Sequence, residues 1–490
     1  MSDGTGVRTT RGSWPSRCLG FAALAAVAAT LRPCAGAGAT LAGVRVELGG
    51  YLEADGVVPT DSNGHRQRPA GALRLAMEVQ PAQELKLFLS ATGLVGGTPE
   101  EAAGAGIFDL ERAIQNRSPS FEFEEAYLDW HHPDVDLRIG KQKFAWGKLD
   151  GIQLNDWLNP EKYYDPLLTD EDERKIGVPA LAASFFPPPP RSTSELRLTA
   201  VWVPVHVPFR FPDRKERWFP PLAVPPPTFR NQGRIHQRLA VENGGEGPRG
   251  LDDGNVALRL TGLSAGTDWG LYYYDGFDPL PLFDVHSREG DGSTLEIVET
   301  PAFRRFRTGG ADAAWTTHGL TFRAEVSYQE RRAFSRNVKR DLGIRGDIPD
   351  TVFPFFDKVA RGETAPAFVE RDAFSWGAGV DYPVAGWLPI VQVLQTTIFG
   401  NDTRLIVENQ ETQLLGSLRR RFAGERAEGR ITALYGIEGR YLVALSHLSY
   451  ALRDDVDLRI GYLAIGGSRQ SLLGQFAAND EVFVRLRYSF

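Results

Sequence analysis

Charge that returns at every second position is the most visible chemistry in this 490-residue sequence. Arg45, Arg74, Lys86, Arg138, Arg197, Arg259, Arg323, Arg459, Arg485 and Arg487 alternate with apolar residues, as do Glu47, Glu78, Glu84, Glu125, Glu195, Glu325 and Asp457. On an extended chain, side chains two apart share a face. Mixed charge on a wet wall sets the field for passing ions. Residues 147–175 hold a second concentration: Asp150, Asn155, Asp156, Asp165, Asp170, Glu171, Asp172 and Glu173, with Trp157, Tyr163 and Tyr164. Folded inward, such a loop would select by size and charge. Clustered carboxylates also suit calcium, but Asp170 to Glu173 lacks the spaced order of a calcium loop, so no metal is expected. Loop 205–253 is basic and aromatic (Arg210, Arg214, Lys215, Arg217, Trp218, Phe219) and suits an anionic solute or lipopolysaccharide phosphates.

Catalytic patterns are weaker. Gly262-Leu263-Ser264-Ala265-Gly266 fits G-x-S-x-G, but a nucleophile elbow needs a strand-to-helix turn, and here the segment separates two short strands. His447 and Ser449 share a face, where His could activate Ser; a lipid-acting pair would face lipid, and Leu448 and Tyr450 suit that side better. His131 and His132 lack a third metal ligand. No catalytic residue and no cofactor are expected.

The elements that must position these residues are strands. In the last one, Val482, Val484, Leu486, Tyr488 and Phe490 share one face, and Glu481, Phe483, Arg485, Arg487 and Ser489 the other. A lipid-facing apolar side and a wet lumen satisfy both. Eighteen such stretches can be placed, from residues 43–53 to 481–490, with sixteen as the alternative count. Nearly all short turns then fall on one side and long segments on the other, as membrane barrels show. The long segments lie near 54–69, 95–120, 147–175, 205–253, 277–303, 331–370, 400–410 and 466–480. A bulge near Glu124 would bring Phe121 and Phe123 into phase with Ala126, Leu128 and Trp130. A second bulge is expected at Gly140, and Pro179 should sit at a bulge or strand end.

The N-terminus reads as an export signal. Arg8, Arg11 and Arg17 precede an apolar run, Leu19 to Leu31, followed by A-x-A sites ending at Ala37 and Ala39. That run is shorter than the roughly 20 residues of a spanning helix. Cleavage near Ala37 or Ala39 removes both cysteines and leaves 51 basic against 61 acidic side chains, a net charge of −10. Nothing in that balance suggests nucleic acid. The mean hydropathy of −0.26 looks soluble, but so does a barrel in which only alternate residues meet lipid.

Glu125-Ala126-Tyr127, then Arg138-Ile139-Gly140-Lys141-Gln142, Trp146-Gly147, Asp150 and Asn159-Pro160 resemble a proteobacterial outer-membrane, porin-like β-barrel family of largely unassigned function. Lys175 to Pro179, Val201 to Pro204 and the tail from Leu472 to Phe490 resemble it too. Tyr488 and Phe490, ending an alternating strand, resemble the signal read by the barrel assembly machinery.

The expected protein is thus all-β: residues 1–37 a cleaved signal, 40–490 one transmembrane antiparallel up-and-down barrel with long outer loops, one of them folded into the lumen. The expected function is a channel for small hydrophilic solutes in the bacterial outer membrane. A phospholipase-type hydrolase and a structural or adhesion barrel with a loop-plugged lumen are the alternatives. Expected pore-lining or constriction residues are Glu125, Arg138, Lys141, Asp150, Asp156, Arg197, Arg259, Arg323, Arg459, Arg485 and Arg487. Expected partners are outer-membrane lipid, lipopolysaccharide, the assembly machinery and the solute, with a homotrimer consistent with the size.

Overall fold

The computed structural model describes residues 37–41, 44–60, 71–95, 101–102, 120–163, 167–211, 218, 236–241, 250–289, 294–336, 362–402 and 405–490. Eighteen antiparallel strands form one closed wall. In chain order they are β1 Val44–Pro59, β2 Gly71–Ala82, β3 Leu85–Val95, β4 Ser120–His132, β5 Val135–Gln142, β6 Val178–Phe185, β7 Glu195–Val203, β8 Asn255–Ser264 and β9 Thr267–Phe277. They continue as β10 Arg305–Thr317, β11 Leu320–Ser335, β12 Phe368–Asp381, β13 Trp387–Ile398, β14 Gln410–Phe422, β15 Ala427–Gly436, β16 Tyr441–Arg453, β17 Val456–Gly467 and β18 Glu481–Ser489. Each of the eighteen expected stretches is a strand. The last pairs with the first, from Tyr51 opposite Ser489 to Pro59 opposite Glu481. Closure leaves no exposed edge, which a spanning sheet requires.

Alternation decides which side chains meet which medium. Leu258, Leu271, Val391, Ile431, Leu448 and Ile460 are exposed on the outside, and contiguous apolar exposure on this scale is foreign to a soluble surface. Among the described residues no helix is long and apolar enough to cross a membrane.

The local expectations fared differently. Ser90 pairs with Glu125 and Ala91 with Phe123, so Glu124 is the extra residue of a bulge. Pro179 is the second residue of β6, and pairing with β7 starts only at Leu181, so no β7 carbonyl waits for its missing N–H. The bulge expected at Gly140 is absent: pairing runs unbroken through it on both sides. Gly140 instead has φ +132°, and a Cβ there would strike the Ala126 carbonyl. Segments read as irregular also carry structure. His236–Val241, Leu282–Glu289, Thr294–Ala302 and Ala365–Pro366 form a separate four-stranded sheet. Ala37–Leu41, at the expected cleavage point, pairs with the start of β1. The rest of the signal segment, and Arg214, Lys215, Arg217 and Phe219 of the basic loop, lie outside the described residues.

Candidate functional site

The segment between β5 and β6, residues 143–177, folds into the barrel. Glu325 of β11 sets its position. The carboxylate is almost fully buried and accepts the backbone N–H groups of Leu149 and Leu154, each at 2.8 Å, and that of Lys148. A carboxylate that gathers backbone donors fixes a turn more firmly than neutral acceptors would. Gln392 of β13 holds the Asp150 backbone from both sides, accepting its N–H at 3.2 Å and donating to its carbonyl at 3.1 Å. Lys148 reaches Asp268 of β9 at 2.6 Å. The approach is close enough to need inward glycines. A methyl at Gly310 would overlap the Asn155 amide, and one at Gly377 would come within 2.5 Å of Leu149.

Buried ion pairs complete the attachment. Lys162 contacts Glu122 at 2.5 Å and Arg210 contacts the same carboxylate at 3.1 Å. Lys143 and Arg74 share Glu124, at 3.2 and 3.3 Å. Within the loop Lys175 bridges Asp156 at 2.6 Å and Glu171 at 2.7 Å. Burial pushes the Asp156 carboxyl up to about 6 despite Lys175. For Lys175, burial opposes the charge, but Asp156 and Glu171 prevail and raise its pKa. At the far end Glu173 accepts from Arg487 at 2.7 Å and from the Tyr51 hydroxyl at 3.0 Å.

Apolar packing divides the inner face of the facing wall. Toward the long-loop end Leu168 of the inward loop and Trp218 pack with Val443, Leu463, Ile465 and Phe483. Toward the short-turn end β14 to β17 carry Arg419, Arg430, His447, Ser449 and Arg459. Asp150 and Asp170 of the inward loop stay about half exposed on that side. Asp150 reaches Arg323 at 3.1 Å and Asp170 lies 3.6 Å from Arg459. Burial raises the Asp150 carboxyl, with Arg323, Arg430 and Arg419 pulling the other way. Half-exposed carboxylates on the loop therefore meet guanidiniums on the wall, a transverse field of the kind that orients and sorts ions.

The expected site residues divide accordingly. Asp150, Arg323 and Arg459 belong to these half-exposed pairs. Asp156 does not: it is a buried partner of Lys175. Arg485 does not either, being buried against Asp55 at 2.9 Å and Glu53 at 3.2 Å. Arg487 joins Glu53 at 2.5 Å and Glu173. Glu125 and Arg138 do not pair with each other. Glu125 accepts the Lys143 N–H at 3.0 Å, while Arg138 binds Asp129 at 2.6 Å over the Tyr127 ring. Lys141 donates to the Phe123 carbonyl at 2.5 Å. Arg197 donates to Ser184 at 2.8 Å, and Arg259 lies over Trp146 and Tyr272. Sequence reasoning missed Arg419 and Arg430, although the signal is present: in β14 and β15 they alternate with the outward Leu418 and Ile431. His447 and Ser449 face inward because Leu448 and Tyr450 are exposed outside, and Ser449 accepts from Arg459 at 3.3 Å. Tyr488 packs with Leu52, Val456, Leu486 and Phe490, whose backbone pairs with Gly50. Among the described residues no cluster is placed to hold a metal.

A family model matches residues 96–408, the stretch that contains the inward loop and its anchors Glu325 and Gln392. The chain belongs to the family described as "Protein of unknown function (DUF1302)". No curated protein matches this DUF1302 chain. Solved structures similar to it include Wzi, an outer membrane protein involved in group 1 capsule assembly in Escherichia coli and titled a carbohydrate-binding β-barrel. Identity is 10%, with 90% of this chain and 84% of that one covered and a TM-score of 0.46. The outer membrane channel DcaP of Acinetobacter baumannii matches at 10% identity over 93% of this chain and all (100%) of that one, TM-score 0.40. Salmonella typhi OmpF, in complex with daunomycin, matches at 10% identity over 91% and 98%, TM-score 0.39.

Proposed function

We propose that this barrel sits in a bacterial outer membrane and works as a selective channel for small hydrophilic solutes, with residues 143–177 as its constriction. One observation carries the reading: the inward loop is pinned to one part of the wall yet leaves Asp150 and Asp170 solvated opposite arginines of β11 and β17. Solutes passing beside these pairs would be sorted by width and charge, with no chemical step. The apolar outer face and the short turns gathered at one end support the membrane placement. Export by a cleaved signal and folding by the assembly machinery belong to the same reading. Reconstitution into planar bilayers tests it: stepwise conductance is expected, and a folded protein that stays silent at every voltage removes the channel.

A second reading has its own support. The apolar seal of Leu168, Trp218, Leu463 and Phe483 at the long-loop end suits a barrel with a fixed plug and a structural or adhesive role. That barrel would conduct only when the seal is broken by mutation.

A further inference from the structure

We propose that Arg419, Arg430 and Arg459 form an oxyanion-binding station on the inner wall, which takes the carboxylate or phosphate group of a small anionic solute. The proposal deepens the channel reading, and rests on it only for its place in a transport path.

Strand register brings the station together. Arg419 of β14 stands directly opposite Arg430 of β15, and Arg430 directly opposite His447 of β16. One dyad nearer the short turns, Ser449 stands opposite Arg459 of β17. All face the lumen, since Leu418, Ile431, Leu448 and Ile460 between them are exposed outside. Like charges directly opposite each other across two strands destabilise a sheet, and no carboxylate of the Arg419–Arg430–His447 row offsets them. Glu428 is the acid nearest to hand, yet it is shared. It binds Arg421 at 3.1 Å and meets Arg430 at only 3.4 Å. Among the described residues Arg419 has no ion-pair partner, and the Arg430 Nε has no acceptor. Asp170 is 3.6 Å from Arg459 and half exposed, a loose partner that an incoming anion could displace.

The contrast with other inward arginines is the second argument. Arg323, Arg485 and Arg487 each hold a carboxylate at 2.5 to 2.9 Å. They are held in short ion pairs and serve to fix the loop or the seam, with Arg485 Nη1 the one nitrogen of Arg485 left without an acceptor. In the station, by contrast, Arg419 has no ion-pair partner among the described residues, Arg430 Nε has no acceptor and the Arg430 and Arg459 contacts to carboxylates are long, 3.4 and 3.6 Å, which leaves forked donors of the kind that carboxylates and phosphates match in pairs. Ser449 and His447 add neutral hydrogen-bonding groups beside them.

The test uses the full folded protein in detergent, titrated calorimetrically with inorganic phosphate and separately with succinate. Saturable binding of either anion is expected, and the two arms tell phosphate from carboxylate preference. Arg419→Gln/Arg430→Gln should weaken it about tenfold, the loss of one charge-assisted pair. Arg420→Gln, which removes an outward guanidinium stacked 4.8 Å over Trp387, should leave it unchanged. Arg419→Gln alone disturbs no ion pair among the described residues and gives a smaller weakening should the double variant not fold. Binding of neither anion by the folded protein, or equal affinity in the folded variants, overturns the station. Silent bilayers with intact anion binding would sink the channel and leave the station standing. Conductance without anion binding would do the reverse.

Discussion

The inner face of β14–β18 carries two surfaces, which overlap on β15–β17. Its half toward the long loops is a core: Val443, Leu463, Ile465 and Phe483 meet Leu168 and Trp218 with little water between. On β14–β17 the half toward the short turns is a half-exposed basic face, with Arg419, Arg430 and Arg459. The backbone is the same in both, and so is the alternation. What differs is which residue types occupy the inward positions, and therefore whether the inward loop can lie down on them. The loop packs dry where it offers leucine to leucine, and meets the wall through half-exposed ion pairs where it offers Asp150 and Asp170 to arginine.

The sharpest way to break that contrast is to unseat the loop. Glu325→Ala leaves three backbone donors without their acceptor and should cost about 3–5 kcal/mol, from about 1–3 kcal/mol for each unmet group. A lower unfolding temperature and a larger single-channel conductance are expected together; an unchanged conductance would mean that the loop is held without Glu325. Leu463→Ala attacks the sealed half alone. It should cost about 2–4 kcal/mol by cavity formation and raise leak current without altering ion preference. Gly310→Val pushes against Asn155 and should cost about 1–3 kcal/mol through overpacking, read as a drop in midpoint temperature.

Acidity sharpens the contrast more gently. Asp156 has a folded pKa of about 6, above its unfolded value near 3.9. The folded chain thus holds a proton there that the unfolded chain releases. Its contribution to stability is complete below about pH 4 and is lost as pH rises through 6. Asp156→Asn should match the parent in thermal midpoint at low pH and exceed it increasingly toward pH 7; a constant difference would refute the assignment. The smallest effect is expected at Arg421, exposed and paired with Glu428. Arg421→Gln should shift stability by less than about 0.5 kcal/mol.

Alternation made the wall legible. Each stretch such as Phe322 to Tyr328 declares an apolar face, and the bulge at Glu124 could be read because Phe121 and Phe123 fall out of step with Leu128. The acidic, aromatic make-up of residues 147–175 likewise pointed to an inward loop. Alternation assigns a side, however, and not a partner. Arg485 and Arg459 have the same signature in sequence, yet one is enclosed by Glu53 and Asp55 from the other end of the chain while the other meets water. Gly140 misled because its left-handed backbone answers a neighbouring carbonyl that no local pattern records. The four-stranded sheet escaped because its outer strand, His236–Val241, pairs in parallel with Thr294–Ala302, a non-local match without turn residues to announce it.

The seam where β18 meets β1 has one more implication. Asp55 and Arg485 are 430 positions apart, and until they touch, the growing wall carries two raw margins along its whole height. No partial version of this molecule is a smaller barrel. A ribosome that stops early, or a protease that trims the last few residues, leaves a curled sheet with both margins open to any neighbouring strand. The carboxylates and guanidiniums at the join thus act as a clasp between the two ends of the chain.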